Sequence, residues 1–225
     1  MKKLLCYLGL CLVMFFMMTN VYAVNVSQAG DTVNQKGEYD STRFVAGNVV
    51  SSSASVDGIS FIVGNEVTLK GSTAYGFYVG NIINVREKVN KDLFVAGNSI
   101  RLDSDAVISR DVYIAGNHVT IQTNIARDLR VGGSNVNLSG VTIGGDAYIF
   151  AEKIIMDSDT VITGKLTIPE ESNVTGLKSA KIGDIKRVKD NSVKIEINPM
   201  RLVVSFIISV VSAFLVMVAL FYFIP

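Results

Sequence analysis

Two stretches of closely similar pattern decide the fold: KDLFVAGNSIRL at residues 91–102 and RDVYIAGNHVTI at residues 110–121. Their shared phrase is an aromatic residue, two mostly aliphatic residues, Gly and Asn. It begins at Phe44, Phe61, Phe77, Phe94 and Tyr113, and looser copies begin at Arg130 and Tyr148. Successive starts differ by 17, 16, 17, 19, 17 and 18 residues. A nearly constant period of this length is typical of a solenoid, in which each repeat forms one turn.

Within each repeat, apolar residues alternate with polar residues, as in a strand that buries one face. Three residues after the Gly, every copy has an aliphatic residue, and this column comprises Val50, Val67, Ile83, Ile100, Val119, Val136 and Ile154. A second strand precedes the Gly and buries the residue that follows each aromatic. A third, looser side absorbs the variation in length, and its expected inward residues are Val107, Ile125, Val141 and Val161. We therefore predict an all-β fold, a single-stranded triangular β-helix of about seven or eight coils and about 35 Å in length.

Composition excludes several classes of function. Both cysteines, Cys6 and Cys11, lie in an apolar N-terminal stretch, so residues 24–225 have no thiol for a disulfide, a zinc site or cysteine catalysis. The one histidine, His118, is predicted to point to solvent, which disfavours a His-rich metal site or a Ser-His-Asp triad. A formal net charge of +1 provides no basic surface for nucleic acid. We expect no cofactor, no nucleotide and no enzymatic activity.

Apolar segments flank the repeats on both sides. Residues 1–23 resemble a secretory signal peptide, with Lys2 and Lys3 before an apolar run; an uncleaved anchor is the alternative. Residues 202–224 contain no charge, and a helix of roughly 20 apolar residues can cross a bilayer. Basic residues before this span favour a cytoplasmic domain, but large domains translocate largely regardless of charge. We expect a single-pass protein of the cell membrane whose main domain lies outside the cytoplasm.

These signals divide the chain into five parts. They are a signal peptide (1–23), a polar N-terminal tail (24–40), a β-helix (41–177), a basic juxtamembrane or capping segment (178–201) and a transmembrane helix (202–224). Residues 24–177 carry a net charge of −5 and residues 178–201 a net charge of +4. The basic segment would lie near anionic lipid headgroups or form a solvated linker. Within it, Val193, Ile195 and Ile197 alternate as a last strand that would cap the rod.

Three polar or aromatic columns are candidates for a site. The recurring Gly-Asn pairs predict corners of the solenoid, where Gly permits positive φ or close approach of the backbone. The Asn side chains of successive corners would stack, and their amides would hydrogen-bond to one another at Asn48, Asn65, Asn81, Asn98 and Asn117. Neutral amides bind cations weakly, so we interpret this column as a structural ladder and predict no metal. Four coils begin with an aspartate, at Asp92, Asp111, Asp128 and Asp146. Cationic residues precede three of these aspartates, so we interpret the column as ion-paired corners and not as a calcium site.

The aromatic column points outward in this scheme, and Arg130 interrupts it. It comprises Phe44, Phe61, Phe77, Phe94, Tyr113 and Tyr148. Stacked aromatics stabilise neighbouring strands, and an exposed apolar column also marks an interface. A stability ladder is therefore one hypothesis, and self-association or carbohydrate stacking is the other.

The phrase Lys/Arg-Asp-aliphatic-aromatic-Val-Ala-Gly-Asn, followed by x-Ile-x-Leu, resembles the coil repeat of bactofilins, polymer-forming cytoskeletal proteins of bacteria, over about residues 41–168. The resemblance implies a right-handed triangular β-helix that polymerises end to end without nucleotide and serves as a scaffold. The two apolar ends make this chain more similar to exported, membrane-anchored bactofilin-like proteins. We therefore expect a non-enzymatic, membrane-tethered scaffold whose partners are other copies of itself, the membrane and cell-envelope components.

The sequence is compatible with two alternatives to the scaffold. One is a cell-envelope binding module that uses the aromatic column to hold glycan or protein. The other is a hexapeptide-repeat acyltransferase, whose coils of about 18 residues are strictly regular. The coils here vary from 16 to 19 residues, and only His118 could serve as the catalytic histidine.

Overall fold

A computed structural model describes residues 27–189, and in this part of the chain every regular element is a β-strand. In chain order the strands are β1 (Ser27–Gln35), β2 (Glu38–Tyr39), β3 (Arg43–Ser52), β4 (Ser55–Leu69), β5 (Ser72–Val85), β6 (Lys88–Val89), β7 (Leu93–Leu102), β8 (Val107–Ile108), β9 (Val112–Ile121), β10 (Leu129–Leu138), β11 (Thr142–Ile143), β12 (Ala147–Met156), β13 (Val161–Pro169), β14 (Asn173–Thr175) and β15 (Lys181–Val188).

The strands form a parallel β-solenoid of about nine turns, which confirms the predicted all-β fold. Each long strand pairs with the equivalent strand one turn later, so that Phe44 lies opposite Phe61 and Phe77 lies opposite Phe94. The short strands β2, β6, β8 and β11 belong to a separate side of each turn, where β6 pairs with β5 and β8. With turns about 4.8 Å apart, nine turns extend over about 43 Å.

Alternating burial explains why these sequences form strands. In β3, β4, β5 and β9 the alternation of buried and open residues shifts at the Gly-Asn pair, so one continuous strand covers two sides of the turn. Ile62, Val67 and Leu69 of β4 are fully buried, and the inward columns predicted for these two sides form the core. Such columns provide the main stabilisation, because burying an aliphatic side chain contributes about 1.5–3 kcal/mol.

The third side has a different register from the one predicted. Ile125 and Val141 are buried as expected, but Val107 is 51% exposed and Val161 is only half-buried. Their neighbours Ile108 and Ile162 fill the core instead, because they continue the column of Ile125 and Ile143. Strands of two residues are too short for an alternation that reveals which residue points inward.

The Gly-Asn glycines are required by close approach of the backbone. Among the described residues, positive φ occurs at Gly37, Gly140 and Gly176, none of which belongs to the Gly-Asn phrase. A Cβ added to Gly64 would lie 2.9 Å from the carbonyl oxygen of Gly47 one turn earlier. Side chains larger than hydrogen would therefore separate adjacent turns at this column.

The solenoid extends beyond the repeats at both ends. Strand β1 pairs with β3, with Gly30 opposite Gly47, so residues 27–40 form a turn rather than the predicted polar tail. Strand β15 pairs with β13, so the solenoid also continues past residue 177. These added turns lack the aromatic phrase, which is why the repeat indicated only seven or eight coils.

The remaining segment predictions lie outside the described residues. They concern the signal peptide at 1–23, the last strand at Val193, Ile195 and Ile197, and the transmembrane helix at 202–224. Within residues 27–189 there is no helix of the length and apolar character that crossing a bilayer requires.

Candidate interaction site

The aromatic column forms a continuous stack on one side of the solenoid. Ring centroids are 4.8 Å apart from Phe44 to Phe61, 4.8 Å from Phe61 to Phe77, 4.5 Å from Phe77 to Phe94 and 4.7 Å from Phe94 to Tyr113. The rings are nearly parallel because in-register strands repeat each position at the turn spacing. All five side chains lie on the outside, where Phe44 is 37% exposed and the others are half-buried.

Arg130 continues this stack rather than interrupting it. Its guanidinium carbon lies 5.3 Å from the ring centre of Tyr113 and 5.2 Å from that of Tyr148. Nη2 of Arg130 also lies 3.2 Å from Oδ2 of Asp128, which holds the planar group between the two rings. Guanidinium groups stack on aromatic faces, so an arginine can replace a ring in such a column.

A groove runs beside the stack. It is formed by the column two residues after the aromatics, where Val79 and Phe150 protrude and Ala96, Ala115 and Gly132 between them are small. Val79 is 50% exposed and Phe150 is 42% exposed, so both rise above the alanine floor. The groove has a volume of about 620 Å³ and an almost entirely apolar lining. Sequence reasoning missed it, although the change in side-chain size along one column was the available signal.

The stack exposes ring edges and hides ring faces. Carbohydrate recognition by aromatic residues uses the ring face, but apart from the outer faces of the end rings Phe44 and Tyr148, each face in this column is covered by the next ring or by Arg130. The groove beside the stack offers apolar contact with small recesses, and side chains of a protein partner fit such a surface. The geometry therefore favours protein contact over glycan stacking at this column.

The asparagine column is solvent-exposed at all five positions: Asn48, Asn65, Asn81, Asn98 and Asn117. One amide–amide hydrogen bond is present in the described part of the chain, donated by Nδ2 of Asn117 to Oδ1 of Asn98 at 3.3 Å. His118, the next residue, is also exposed, and its Nδ1 lies 3.3 Å from Nδ2 of Asn135.

The aspartate column is a hydrogen-bonded ladder, a role that the sequence did not reveal. The backbone N–H of Asp128 donates to Oδ1 of Asp111 at 3.1 Å, and the N–H of Asp146 donates to Oδ1 of Asp128 at 3.0 Å. Arginines also pair with aspartates one turn earlier: Nε of Arg127 lies 3.3 Å from Oδ1 of Asp111. These carboxylates therefore hold adjacent corners together, and no group of three potential metal ligands occurs within residues 27–189.

A buried polar pair interrupts the apolar core. Tyr78 replaces an aliphatic residue in the column after the aromatics, and its hydroxyl donates a hydrogen bond to Oε1 of Glu87. Glu87 is 4% exposed, and the equivalent positions one turn earlier and later are Gly71 and Ala106. Burial raises the pKa of the Glu87 carboxyl from its ordinary 4.5 to about 7, although the bond from Tyr78 acts in the opposite direction.

Burial and the facing carboxylate likewise raise the pKa of Tyr78 well above its ordinary value. The pair therefore places a titratable carboxyl of near-neutral pKa inside the solenoid.

The two end strands each have one free edge within the described residues. Strand β1 pairs only with β3, and β15 pairs only with β13. Ile185 of β15 continues the inward column of Ala147 and Leu166, yet it is 43% exposed because no further described turn covers it. Within residues 27–189, this end of the solenoid therefore presents both unpaired backbone groups and an open part of the core.

No protein-family model, curated protein or solved structure matches the chain.

Proposed function

We propose that the chain is a non-enzymatic scaffold of the bactofilin type, tethered to the membrane and exposed outside the cytoplasm, which assembles with itself end to end. The repeat phrase supports the family, and with it a right-handed triangular winding. The apolar segments 1–23 and 202–224 support export and anchoring by one C-terminal span.

The free strand edges are the observation that carries self-assembly. The N–H and C=O groups of β1 and β15 that have no partner within residues 27–189 form a template on which another parallel strand adds. Contact through β15 would also cover the exposed Ile185, so hydrogen bonding and apolar burial act together. A head-to-tail contact of this kind does not close on itself, and so it generates filaments.

The polar columns support a structural role over a catalytic one. Aspartate oxygens accept backbone hydrogen bonds and pair with arginines such as Arg110, whose Nε lies 3.4 Å from Oδ1 of Asp92. Carboxylates engaged in this way hold turns together and are poorly placed to transfer protons.

The assembly is tested with purified residues 24–199, which keep the predicted last strand at Val193, Ile195 and Ile197, imaged by negative-stain electron microscopy. We expect filaments, and we expect Ile185→Asp to convert them into single rods because the substitution adds a charge at the contact. Val107→Asp is the matched control, since Val107 is also an exposed aliphatic residue but lies on the side of the solenoid. Single short rods of the wild type at high concentration, or filaments that Ile185→Asp leaves intact, would refute assembly through β15.

The membrane tether is tested separately with the full chain in cells. We expect it to stay in the membrane pellet after alkaline extraction and residues 27–189 to be cut by protease added to intact cells. Extraction into the supernatant would contradict the anchor, and complete protection from protease would contradict the location.

The groove beside the aromatic stack favours a second candidate, a module that binds an envelope protein. Ala115→Leu would fill the floor of the groove, whereas Thr120→Leu adds the same side chain on another side of the same turn. If this function is right, an envelope protein cross-linked to the groove is lost with Ala115→Leu and retained with Thr120→Leu. Equal cross-linking by both variants would exclude the groove as its binding site.

A further inference from the structure

The last described turn of the solenoid is a basic surface on a protein that is otherwise acidic. Residues 178–189 contain five cations and one carboxylate, whereas residues 24–177 have a net charge of −5. The cations are Lys178, Lys181, Lys186, Arg187 and Lys189, and all of them are exposed. A sign change confined to one end of the rod indicates a contact with an anionic partner at that end.

Four of these cations have no intramolecular partner among the described residues. Asp184 pairs with Lys165, whose Nζ lies 3.6 Å from its Oδ2, and Arg187 donates to the backbone oxygen of Glu170 at 3.1 Å. No ion pair within residues 27–189 involves the four lysines of this turn. Five arginines of the preceding turns are engaged with aspartates, whereas this turn concentrates, within twelve residues, four lysines that are unpaired in the described part of the chain.

We infer that these four lysines bind the anionic headgroups of the bilayer into which residues 202–224 insert, so that the terminal turn rests on the membrane surface. The inference depends on the membrane tether of the proposed function. Residues 190–201 link this turn to the apolar segment, and twelve residues reach at most about 40 Å when extended. Basic residues that close to a span are attracted to anionic lipid within a Debye length of the surface.

Lys181 and Lys186 lie in outward columns on the sides of the rod and leave the strand edge free. Lys186 lies opposite Thr167 in the outward column that also contains Tyr148, and Lys181 lies opposite Val161 on the third side. Lipid contact through these two side chains therefore leaves the outer edge of β15 uncovered. End-to-end assembly through β15 remains compatible with this contact.

The test measures acetylation of individual lysines in the full chain, reconstituted in nanodiscs of zwitterionic lipid or of a mixture with about one third phosphatidylglycerol. Mass spectrometry gives the acetylation rate of the four lysines relative to that of Lys70 and Lys88, which are exposed several turns away. We expect at least about fivefold slower acetylation in the anionic discs, and we expect about 0.5 M salt to abolish the difference.

A double variant identifies the residues responsible. Lys181→Gln with Lys186→Gln should reduce the protection of Lys178 and Lys189, whereas Lys36→Gln with Lys91→Gln, two exposed lysines far from this turn, should leave it unchanged. Equal acetylation in both kinds of disc would overturn the inference, as would equal protection by inorganic phosphate in zwitterionic discs, because the ligand would then be a free anion. A chain that fails to co-purify with nanodiscs refutes the tether instead, which separates the two failures.

Discussion

The buried carboxyl of Glu87 makes stability depend on pH in an unusual direction. Its pKa is 4.5 when the chain is unfolded and about 7 in the folded solenoid. Between these values the folded state binds one more proton than the unfolded state, so the free energy of unfolding decreases as pH rises. The stabilisation is complete below 4.5 and lost as pH passes about 7. At about 1.4 kcal/mol for each tenfold change in proton affinity, the loss is about 3 kcal/mol.

The perturbation that isolates this effect is Glu87→Gln. Glutamine has nearly the same shape, accepts the bond from the Tyr78 hydroxyl and stays neutral at every pH. We expect the variant to match the wild type near pH 5 and to exceed its stability by up to about 3 kcal/mol near pH 8. Glu66→Gln is the control, because Glu66 is exposed and its substitution should change neither value.

The assay is urea unfolding of residues 24–189, followed by far-ultraviolet circular dichroism across this pH range. Asp103 and Asp157 titrate below this pH range. Desolvation raises the pKa of both carboxyls, but the pKa of each is lowered overall by hydrogen bonds and, for Asp103, also by Arg86 and Arg101. Their stabilisation is present above the ordinary value of 3.8 and is lost only in stronger acid. A wild type as stable near pH 8 as near pH 5, or a Glu87→Gln protein that keeps the decrease, would refute the reasoning.

Three further predictions concern the columns. Val119→Asp should prevent folding of its turn while Thr120→Asp is tolerated, because Val119 is 2% exposed and Thr120 points outward; loss of the strand spectrum in only the first variant is the readout. Gly97→Ala should lower the free energy of unfolding by about 2 kcal/mol, because the added Cβ meets the carbonyl oxygen of Gly80 one turn earlier. Gly132→Ala should be nearly neutral, because the space around Gly132 is open. Similar urea midpoints for the two variants would contradict this reasoning. Phe94→Ala should lower the free energy of unfolding by about 1–3 kcal/mol, because two stacking contacts are lost. Phe44→Ala should lower it less, because Phe44 stacks on one ring.

The turn length and the two long sides could be predicted because each is a local property of the chain. A period near 17 residues predicts the turn, and alternation predicts burial of residues such as Val67 and Ile100. The third side could not be predicted in the same way, since two-residue strands do not show whether Val107 or Ile108 points inward. The first and last turns were missed for a related reason: they pair with their neighbours through backbone hydrogen bonds without repeating the aromatic phrase.

The candidate site was only partly predictable. The aromatic positions are visible in the sequence, but the stacking of Arg130 between two tyrosines requires the distances across turns. The groove depends on the sizes of Val79, Gly132 and Phe150, which are far apart in the chain and close only after winding. The sequence also predicted that the aspartates form ion pairs at the corners. It did not reveal that their carboxylates accept hydrogen bonds from backbone N–H groups of the next turn.

The amino-acid sequence by itself determined that this chain winds into a β-solenoid with an aliphatic interior, because period and alternation are properties of residues near one another in the chain. The tertiary structure alone decided which groups meet across turns, such as Tyr78 with Glu87 and arginines with the aspartates of the preceding turn. It also decided that small residues of successive turns line up to form a groove. The physical reason is that burial and contact depend on the spacing of turns in three dimensions. That spacing converts an ordinary glutamate into a carboxyl with a pKa of about 7.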